Sequence, residues 1–446
     1  MYTYHNDSCS MTESEEKAMD MARIEPNMLK GTVTVPPSKS VAHRAMIAAA
    51  LSGGGCTISN VAMSKDIQAT LDCMQALGAT VQVDPKAGTV QFSPRSKQAL
   101  PEEIVLPCGE SGSTLRFLIP LALLTGRSVT LTGRGRLMQR PQKPYLDMFA
   151  QRGISCVQNE DSIKIKGELK AGLYKIPGNV SSQFITGLLF ALPLLEGDSE
   201  IQVTTMLESK GYVDLTLSVL KDFGIEVQND RYRRFIIPGG QTYQPKGMVV
   251  EGDYSQAAFF LVAGALGCDI CVKGLRKDSL QGDKKILEIL EEAGAEVEYL
   301  DEDTIQVRRT DKMHGIRIDA REIPDLVPIL AVLCAFCKGE SLIHNAGRLR
   351  MKESDRLTAT ASELKHLGAQ IEEGVDFLKI VGTDTLCGTT VSAWNDHRIA
   401  MAMAIAACRC EGEVSICGAQ EAVTKSYPDF FEVYHSLQNG PTVLLG

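Results

Sequence analysis

The sequence lacks any long hydrophobic run. None of its segments reaches the roughly 18 uninterrupted apolar residues that a membrane-spanning helix needs. Residues 1–22 are polar and acidic, so they have neither the apolar core of a secretory signal nor the Arg-rich, acid-poor character of a transit peptide. We therefore expect no membrane association, a cytoplasmic location, and a disordered tail over residues 1–22.

The sequence also lacks an excess of positive charge. Its 46 Lys and Arg residues are outnumbered by 55 Asp and Glu residues, which gives a net charge of −9. Nucleic-acid binding usually requires an extended basic face, so this charge balance argues against a nucleic-acid partner. With 44% hydrophobic and 23% charged residues, the composition is that of an ordinary globular protein.

Clusters of Cys and His with metal-binding spacing are missing as well. Thirteen Cys residues occur, but they are scattered along the chain. The two Cys-x-x-Cys spacings, Cys268–Cys271 and Cys334–Cys337, lie in apolar runs without a neighbouring His or second pair. Reduced core thiols are the better interpretation, and we expect no metal site.

What the sequence does contain is one pattern repeated six times. In each copy an apolar helix opens on polar residues and stops at a Gly, which can adopt the positive φ of a helix C-terminus. The first positions of these helices are 72, 70, 73, 70 and 72 residues apart; they are Lys39, Ser111, Ser181, Tyr254, Pro324 and Asp396. A periodic chain is one supersecondary unit copied, so the repeat determines the fold.

Each copy continues with a second helix and two strands. The apolar residues of DKKILEILEEAG recur three and four residues apart, as on one face of a helix, and AEVEYL alternates like a half-buried strand. The unit is therefore β-α-β-α-β-β, with its first helix buried and its second helix wet on one face. A single core of 446 residues would exceed the usual ceiling of about 250–300 residues. We predict an α/β (α+β) fold with two pseudo-threefold domains of three repeats each around buried helices, an inside-out α/β barrel.

The starts of the first helices contain residues that are unusual for buried helices. Ser, Thr and Asp at such positions are usually only caps. A cation is different, because the helix dipole disfavours it there, so Lys39 and Arg44 require an anionic partner. Free N–H groups at helix N-termini also suit an anion. Because the net charge is negative, a local basic cleft is better explained by a small anionic ligand than by nucleic acid.

Nine motifs at these positions resemble those of a known family. In order they read PSKSVAHR, GESGSTLR, RPQKPYLD, GNVSSQF, ESKGYVD, EGDYSQAAFFL, LRMKESDRL, NDHRIAMAMA and KSYPDFF. Over residues 24–434 the chain resembles the 5-enolpyruvylshikimate-3-phosphate synthase family of enolpyruvyl transferases. The resemblance implies two domains that close like a jaw. Residues 38–250 would form the shikimate-phosphate-side domain, and residues 23–37 together with 251–446 would form the other.

The same resemblance implies a reaction. The enolpyruvyl group of phosphoenolpyruvate is transferred to the 5-hydroxyl of 3-phosphoshikimate through a tetrahedral ketal intermediate, with release of phosphate. This is a transferase step of the shikimate pathway, which supplies chorismate and the aromatic amino acids. The chemistry needs a base, a proton shuttle at C3 and cations around two phosphates, but no metal and no organic cofactor. The implied partners are these two small molecules, and the implied assembly is a monomer.

Matching the motifs residue by residue gives expected roles. Asp325 would be the base for the 5-hydroxyl, Glu353 the proton shuttle at C3, and Lys39 the lysine that touches both substrates. The residues expected to bind 3-phosphoshikimate are Lys39, Ser40, Arg44, Ser181, Ser182, Gln183, Ser209, Asp325 and Lys352. Those expected to bind phosphoenolpyruvate are Lys39, Gly112, Arg136, Gln183, Arg356, Arg398 and Lys425. His397 is expected to have no catalytic role.

The chain departs from the family pattern at two positions. Glu110 stands where many members have Asn, and Arg348 stands where some have Asn. A carboxylate at Glu110 would weaken anion binding or pair with a nearby Arg. The small Gly112 leaves room for glyphosate, so inhibition is expected, with a strength that depends on Glu110, Ser113 and Phe117.

Three alternatives compete with this interpretation. The related transferase that acts on UDP-N-acetylglucosamine shares the six repeats, but it usually has a Cys in the loop that corresponds to residues 133–141, and none is present here. It also lacks the PSKSxxxR opening. A repeat-built nucleic-acid-binding protein would need a broad basic surface, which the acidic composition disfavours. A catalytically inactive relative is disfavoured because the full set of expected catalytic and phosphoenolpyruvate-binding residues is present.

Overall fold

The predicted β-α-β-α-β-β pattern organises the computed structural model, which describes residues 20–94 and 99–438. A strand, β1 (Met21–Ile24), precedes the first repeat. The first repeat contains β2 (Lys30–Thr34), α1 (Lys39–Leu51), β3 (Cys56–Ser59), α2 (Lys65–Ala76), β4 (Thr80–Asp84) and β5 (Thr89–Ser93). The second contains β6 (Glu103–Pro107), α3 (Gly112–Leu123), β7 (Ser128–Thr132), α4 (Lys143–Ala150), β8 (Ser155–Gln158) and β9 (Ser162–Lys166). The third contains β10 (Gly172–Ile176), α5 (Gln183–Ala191), β11 (Ser199–Val203), α6 (Lys210–Asp222), β12 (Gln228–Asp230) and β13 (Arg234–Ile237).

The second half of the chain continues the pattern. The fourth repeat contains β14 (Met248–Val249), α7 (Tyr254–Ala265), β15 (Asp269–Lys273), α8 (Ile286–Glu292), β16 (Glu296–Tyr299) and β17 (Thr304–Arg308). The fifth contains β18 (Arg317–Asp319), α9 (Val327–Ala335), β19 (Glu340–His344), α10 (Arg356–His366), β20 (Gln370–Glu373) and β21 (Leu378–Val381). The sixth contains β22 (Leu386–Cys387), β23 (Thr390–Ser392), α11 (His397–Ala406), β24 (Cys410–Glu411), β25 (Val414–Cys417), α12 (Ala419–Val423) and α13 (Phe430–Gln438).

The first helix of each repeat is buried, and the second keeps a wet face. All twelve residues of α7 and all nine of α9 are buried, whereas six of the twelve residues of α2 are buried. The buried helices pack on one another: α3 contacts α5, and α7, α9 and α11 contact each other. This confirms the prediction that the apolar helices form the interior and the amphipathic helices cover the outside.

The sheets combine a parallel pair with an antiparallel hairpin. The second and third repeats have the strand orders β6-β7-β9-β8 and β10-β11-β13-β12. The first two strands of each repeat run parallel because a helix connects them. The last two strands are antiparallel, joined by a short turn.

The first and fourth repeats exchange their first strands. β2 pairs in parallel with β15, and β14 pairs in parallel with β3. The two segments that make this exchange lie side by side: the Ser38 N–H donates to the Glu251 carbonyl at 2.7 Å, and the Asp253 N–H donates to the Pro36 carbonyl at 2.9 Å. The chain therefore passes between the two halves of the molecule twice, at neighbouring points.

Buried apolar side chains form two separate clusters. One extends from Val41 to Val250 and includes α1, α3 and α5. The other combines the segment from Ala22 to Val35 with residues from Tyr254 to Leu437 and includes α7, α9 and α11. The mixed α/β architecture with three buried helices in each half is thus as predicted. The domain boundaries, 38–250 and 23–37 with 251–446, stay a prediction.

The described chain begins within the sixth repeat's sheet. β1 lies antiparallel to β25, and β23 lies parallel to β25 on its other side. The prediction of a disordered tail over residues 1–22 is wrong at its C-terminal end, because the buried side chains of Ala22 and Ile24 order this strand against the core. The rest of that prediction, residues 1–19, lies outside the described residues.

Within residues 20–94 and 99–438, no helix is both long and apolar enough to cross a membrane. The Cys residues in the same ranges all have free thiols. Cys334 and Cys337 are buried, in keeping with their interpretation as core thiols.

Candidate active site

A cleft lies where the two halves meet, at the N-terminal ends of the buried helices. We call it the central cleft. One half contributes the starts of α1, α3 and α5, and the other contributes the starts of α7, α10 and α11 with the turn before α9. Thirteen of the residues that the sequence predicts for the site line it, namely Lys39, Ser40, Arg44, Gly112, Ser181, Ser182, Gln183, Ser209, Asp325, Lys352, Glu353, Arg356 and Arg398.

Asp325 lies among three cations in the 3₁₀ turn Pro324–Leu326. Its Oδ1 accepts hydrogen bonds from Arg356 Nη1 at 2.8 Å and from Lys352 Nζ at 3.1 Å. Its Oδ2 is 3.5 Å from Arg398 Nη2 and 3.1 Å from the Tyr212 hydroxyl. Burial acts to raise the pKa of Asp325, but Lys352, Arg398 and Arg356 outweigh it and hold that pKa well below its usual value. Asp325 is therefore a carboxylate at neutral pH.

Arg356 is the central buried cation of the cleft. Asp355 caps α10 by accepting from the Thr358 N–H at 3.1 Å, which makes Arg356 the first helical residue and directs it inward. Its Nε donates to Asp396 Oδ2 at 2.8 Å, and its Nη2 donates to Glu353 Oε2 at 2.7 Å. Burial acts to lower the pKa of Arg356, but the surrounding carboxylates raise it overall. The guanidinium thus links Asp325, Glu353 and Asp396 in one network.

Glu353 lies on the side of Arg356 that faces the other half of the molecule. Its Oε1 is 3.6 Å from Arg140 Nη1. Burial acts to raise the pKa of Glu353, but Arg356, Arg140 and Lys352 outweigh it and hold the pKa well below the usual value. The cleft therefore contains two ionised carboxylates, Asp325 and Glu353, that share the guanidinium of Arg356.

Lys39 has a partner that the sequence motifs did not reveal. Ser38 caps α1 by accepting from the Val41 N–H at 3.4 Å, and this places Lys39 at the first helical position. The Lys39 Nζ donates to Asp66 Oδ2, at the start of α2, at 2.8 Å. Its backbone N–H donates to Asp253 Oδ2 at 3.1 Å. Carboxylates thus offset the unfavourable placement of a cation at a helix N-terminus.

Two further arginines of the first half project into the cleft. Arg44 Nε donates to the Thr216 hydroxyl at 2.8 Å, and burial lowers the pKa of Arg44 to about 10. Arg116 Nη1 donates to Gln183 Oε1 at 2.7 Å, and Gln183 Nε2 donates to the Ser113 hydroxyl at 3.0 Å. Buried guanidinium groups with incomplete charge compensation favour an anionic ligand. Sequence reasoning did not select Arg116, although it ends the motif GESGSTLR.

Arg348, one of the two departures, fills the space beside Ser209. Its Nε is 2.5 Å from Glu208 Oε2, and its Nη2 donates to the Ser209 hydroxyl at 3.0 Å. Ser209 itself has a left-handed backbone with φ of 58°. Arg348 therefore links the fifth repeat to the third across the cleft and adds a cation to the predicted 3-phosphate subsite.

The structure does not bring Arg136 into the central cleft. Arg136 is exposed in the loop that follows β7, whereas Arg140, four residues later, is buried and lines the cleft. Arg140 packs so closely on Gly112 that a Cβ added there would lie 2.7 Å from its Nη1. The basic residue of this loop that faces the expected phosphoenolpyruvate subsite is thus Arg140. It opens the motif RPQKPYLD, which is the signal that could have identified it.

Lys425 lies behind the residues that line the cleft. Its Nζ donates to Glu110 Oε2 at 2.8 Å and to the Asn395 carbonyl and side-chain oxygens at 2.7 and 2.8 Å. The Asn395 amide also donates to Glu110 Oε2 at 3.3 Å. Glu110 therefore pairs with a lysine of the other half of the molecule, rather than with an arginine.

His397 also lines the cleft, at the start of α11. Both of its ring nitrogens are buried without a hydrogen-bond partner. Burial, together with the charges of Lys39 and Arg398, holds the pKa of His397 well below its usual value. His397 is thus a buried, neutral side chain in the wall of the cleft.

The fold and the cleft together define a class of protein. The chain matches a 2.37 Å structure of EPSP synthase from Acinetobacter baumannii with a TM-score of 0.75 and 25% identity, over 94% of this chain and 98% of that one. It also matches the enolpyruvyl transferase NikO from Streptomyces tendae with a TM-score of 0.74, over 94% of this chain and 97% of that one, at 18% identity. The fold is that of the enolpyruvyl transferases, and the predicted fold class is confirmed.

The sequence comparisons then give the family. The family model described as EPSP synthase (3-phosphoshikimate 1-carboxyvinyltransferase) matches residues 24–434. A 3-phosphoshikimate 1-carboxyvinyltransferase of Clostridium acetobutylicum is 49% identical over 93% of this chain and 96% of its own length. One of Clostridioides difficile is 46% identical over 94% of this chain and 98% of its own length. The chain belongs to the EPSP synthase family, as its motifs predict.

Proposed function

We propose that this chain is a transferase that moves the enolpyruvyl group of phosphoenolpyruvate to the 5-hydroxyl of 3-phosphoshikimate and releases phosphate. The observation that supports this most strongly is the pair of ionised carboxylates, Asp325 and Glu353, on either side of the buried Arg356. Membership of the EPSP synthase family agrees with this reaction.

Asp325 is the base that accepts the proton of the 5-hydroxyl in this proposal. Its Oδ1 is occupied by Arg356 and Lys352, and a carboxylate held by so many cations is a weak base. Lys352 is also a ligand for the 3-phosphate. When the phosphate attracts Lys352, one position on Oδ1 becomes free for the hydroxyl, and the pKa of Asp325 rises. Substrate binding and activation of the base are then the same event.

Glu353 delivers and removes the proton at C3; it is ionised in the free protein, so in this proposal it takes up a proton from water when the anionic phosphoenolpyruvate binds beside it, before the addition step. In the addition step C3 of the enol accepts a proton while the 5-oxygen bonds to C2, which gives a methyl group and a tetrahedral ketal. In the elimination step C3 returns a proton, the C2–C3 double bond re-forms and the phosphate–C2 bond breaks. Lys39 is the donor to the departing phosphate, because its ammonium projects from a helix start into the cleft.

The remaining cations bind the two anionic substrates. Arg140, Arg356, Arg398 and Lys425 surround phosphoenolpyruvate in this proposal, with Gly112 giving it room and Gln183 between the substrates. Hydroxyls at the starts of α1, α5 and α6, with Arg44 and Lys352, bind the shikimate carboxylate and the 3-phosphate; they belong to Ser40, Ser181, Ser182 and Ser209. Fixed charges of this kind stabilise charge that develops during transfer. We further propose that the protein works as a monomer in the cytoplasm.

Phosphate release tests the proposal. The protein is mixed with phosphoenolpyruvate and either 3-phosphoshikimate or UDP-N-acetylglucosamine, and phosphate is measured over time. We expect release with 3-phosphoshikimate only, a loss of at least about 100-fold in Asp325→Ala, and wild-type activity in the matched control Asp311→Ala, an exposed turn residue. Release with the UDP-sugar alone, or full activity in Asp325→Ala, would contradict the proposal.

A further inference from the structure

A buried carboxyl group behind the central cleft has no role in the mechanism above. Asp283 lies in the 3₁₀ turn Gly282–Lys285 that precedes α8, and only 5% of it is exposed. Its Oδ2 is 3.0 Å from the Tyr212 hydroxyl, and its Oδ1 is buried without a hydrogen-bond partner. An ionised carboxylate in such a place would be costly. The protonation state of Asp283 therefore needs an explanation.

The Tyr212 hydroxyl touches two carboxyl groups but has a single proton. Its oxygen lies 3.0 Å from Asp283 Oδ2 and 3.1 Å from Asp325 Oδ2. A phenol donates one hydrogen bond. Two favourable contacts are possible only if one of the carboxyl groups is itself protonated and donates to the phenol oxygen. Otherwise one of the two contacts brings lone pairs together.

The surroundings decide which carboxyl group holds the proton. Asp325 has Lys352 and Arg356 within 3.1 Å and Arg398 at 3.5 Å, which keep it ionised. Among residues 20–94 and 99–438, no cation forms an ion pair with Asp283. Two neighbouring carboxyl groups with such different surroundings are expected to divide into one acid and one carboxylate.

The titratable and charged groups that face Asp283 come from four elements. They are Tyr212 of α6, Asp325 of the turn before α9, Asp253 at the start of α7 and Arg398 of α11. Burial first, and then the negative charge of Asp325, raise the pKa of Asp283 to about 7. Asp325 and Asp253 raise the pKa of Asp283 more than Arg398 lowers it. This agrees with the hydrogen-bond geometry, which assigns the proton to Asp283.

We propose that Asp283 is a positioning residue that holds a proton and donates it in a hydrogen bond to the Tyr212 oxygen, so that the Tyr212 hydroxyl donates to Asp325. The inference rests on the proposed function, in which Asp325 is the base. With Tyr212 fixed on Oδ2, the Oδ1 of Asp325 is the atom left to receive the substrate proton once Lys352 turns to the phosphate. If Asp283 ionises, it draws the Tyr212 proton to itself, and Asp325 loses this donor.

The pH dependence of kcat separates this role from a structural one. Asp283→Asn keeps a donor for the Tyr212 oxygen at every pH, because an amide N–H does not ionise in this range. At saturating substrates, kcat of wild type should fall on the alkaline side as Asp283 ionises, and Asp283→Asn should lose this alkaline limb. The matched control Asp278→Asn, an exposed residue of the same loop, should keep it. An unchanged alkaline limb in Asp283→Asn would overturn the proposal.

Infrared difference spectra between acidic and alkaline pH give a readout that does not depend on activity. Without substrate, wild type and Asp278→Asn should lose the C=O band of a protonated carboxylic acid as the pH rises through neutrality, and Asp283→Asn should lack that band. In Tyr212→Phe at acidic pH the band should still be present, at a shifted frequency, because Asp283 has lost its hydrogen-bond partner. This variant keeps the test available if Asp283→Asn does not fold. Absence of the band from wild type would overturn the proposal, even if the proposed transfer reaction is found.

Discussion

In the proposed site, the pairing of Lys425 with Glu110 reduces the positive charge that faces phosphoenolpyruvate. The Lys425 Nζ is 2.8 Å from Glu110 Oε2, in a contact that joins the two halves of the molecule. An anion that binds near Lys425 has to compete with this carboxylate, because the two negative charges repel. If the proposed site is correct, Glu110 competes with the substrate for Lys425.

Removing the Glu110 charge should therefore improve substrate binding. In Glu110→Gln we expect KM for phosphoenolpyruvate to fall by about two- to fivefold, equivalent to about 0.4–1 kcal/mol for a partly exposed ion pair. Steady-state kinetics measure this, with the exposed Glu102→Gln as the matched control. A higher KM in Glu110→Gln would mean that Glu110 instead holds Lys425 in place for the substrate.

Gly112 shows how a single missing Cβ shapes the cleft. A Cβ at this position would lie 2.7–2.8 Å from the guanidinium atoms of Arg140, the mobile end of a long side chain. In Gly112→Ala, Arg140 can move away, so we expect little loss of stability. KM for phosphoenolpyruvate should rise at least about tenfold, since a hydrogen bond to a charged group contributes about 1.5–3 kcal/mol, and glyphosate inhibition should weaken.

Thermal melting and steady-state kinetics of Gly112→Ala, measured together, test this. A large fall in melting temperature with an unchanged KM would show that the glycine is needed for packing rather than for substrate binding.

Among the elements of the fold, helix starts do most to build the site. Asp396 is the N-cap of α11, where its Oδ1 accepts from the Arg398 N–H at 3.0 Å, and its Oδ2 accepts from Arg356 Nε at 2.8 Å. One carboxylate thus begins a helix and neutralises a buried cation. Ser64 only begins a helix: it caps α2 by accepting from the Ile67 N–H at 3.4 Å, and it neutralises no cation.

The two caps should therefore differ in their effect on the free energy of unfolding. We expect Asp396→Ala to lower it by about 3–5 kcal/mol, because a buried charge loses its partner, and Ser64→Ala to lower it by about 1 kcal/mol. Urea denaturation of both variants measures the difference. Equal, small losses would show that Glu353 and Asp325 suffice to neutralise Arg356.

The sequence predicts the elements well, because the hydrophobic period of each repeat is strong and its Gly signals are regular. It does not predict how repeats combine in space. The exchange of β2 and β14 is consistent with the domain bounds that the family resemblance implies, 23–37 with the second half and 38–250 as the first. The residues of these short strands alone do not favour one partner sheet over another. The sequence does not predict the pairing of β1 with β25, because the four residues of β1 are too few to show a hydrophobic alternation next to the polar residues that precede them.

The sequence predicts which residues lie in the cleft where a motif marks the start of a helix. Lys39, Asp325 and Arg356 lie in the cleft because each begins a helix or the turn that leads into one. Arg136 is exposed while Arg140 lines the cleft, and the sequence could not distinguish them, because the loop contains several arginines and only its three-dimensional path decides which is buried. The sequence gives no signal for Asp283, because its proposed role depends on residues from three other repeats.

For the molecule as a whole, charged contacts join the two halves around the cleft. Lys65 Nζ is 2.5 Å from Glu421 Oε1 at the exposed rim, and Arg140 is 3.6 Å from Glu353 inside the cleft. Arg116 and Arg140 of the first half lie close enough for their charges to repel each other, and an anion bound in the cleft would offset this repulsion.

A substrate that binds residues of both halves should compact the protein. We expect 3-phosphoshikimate alone to reduce the radius of gyration in small-angle X-ray scattering, whereas inorganic phosphate at equal concentration should have a smaller effect because it fills only the 3-phosphate part of the site. Scattering that is unchanged by 3-phosphoshikimate would argue against closure by this substrate.

The central claim is transfer by addition and elimination, and one NMR measurement tests it directly. The protein is incubated with phosphoenolpyruvate and 3-phosphoshikimate in D₂O, and the product is observed. The account predicts an enolpyruvyl ether on the 5-oxygen with deuterium at C3, because C3 passes through a methyl group before a proton leaves. Deuterium should appear in phosphoenolpyruvate only when 3-phosphoshikimate is present. An ether product that contains no deuterium, or no ether at all, would contradict the account.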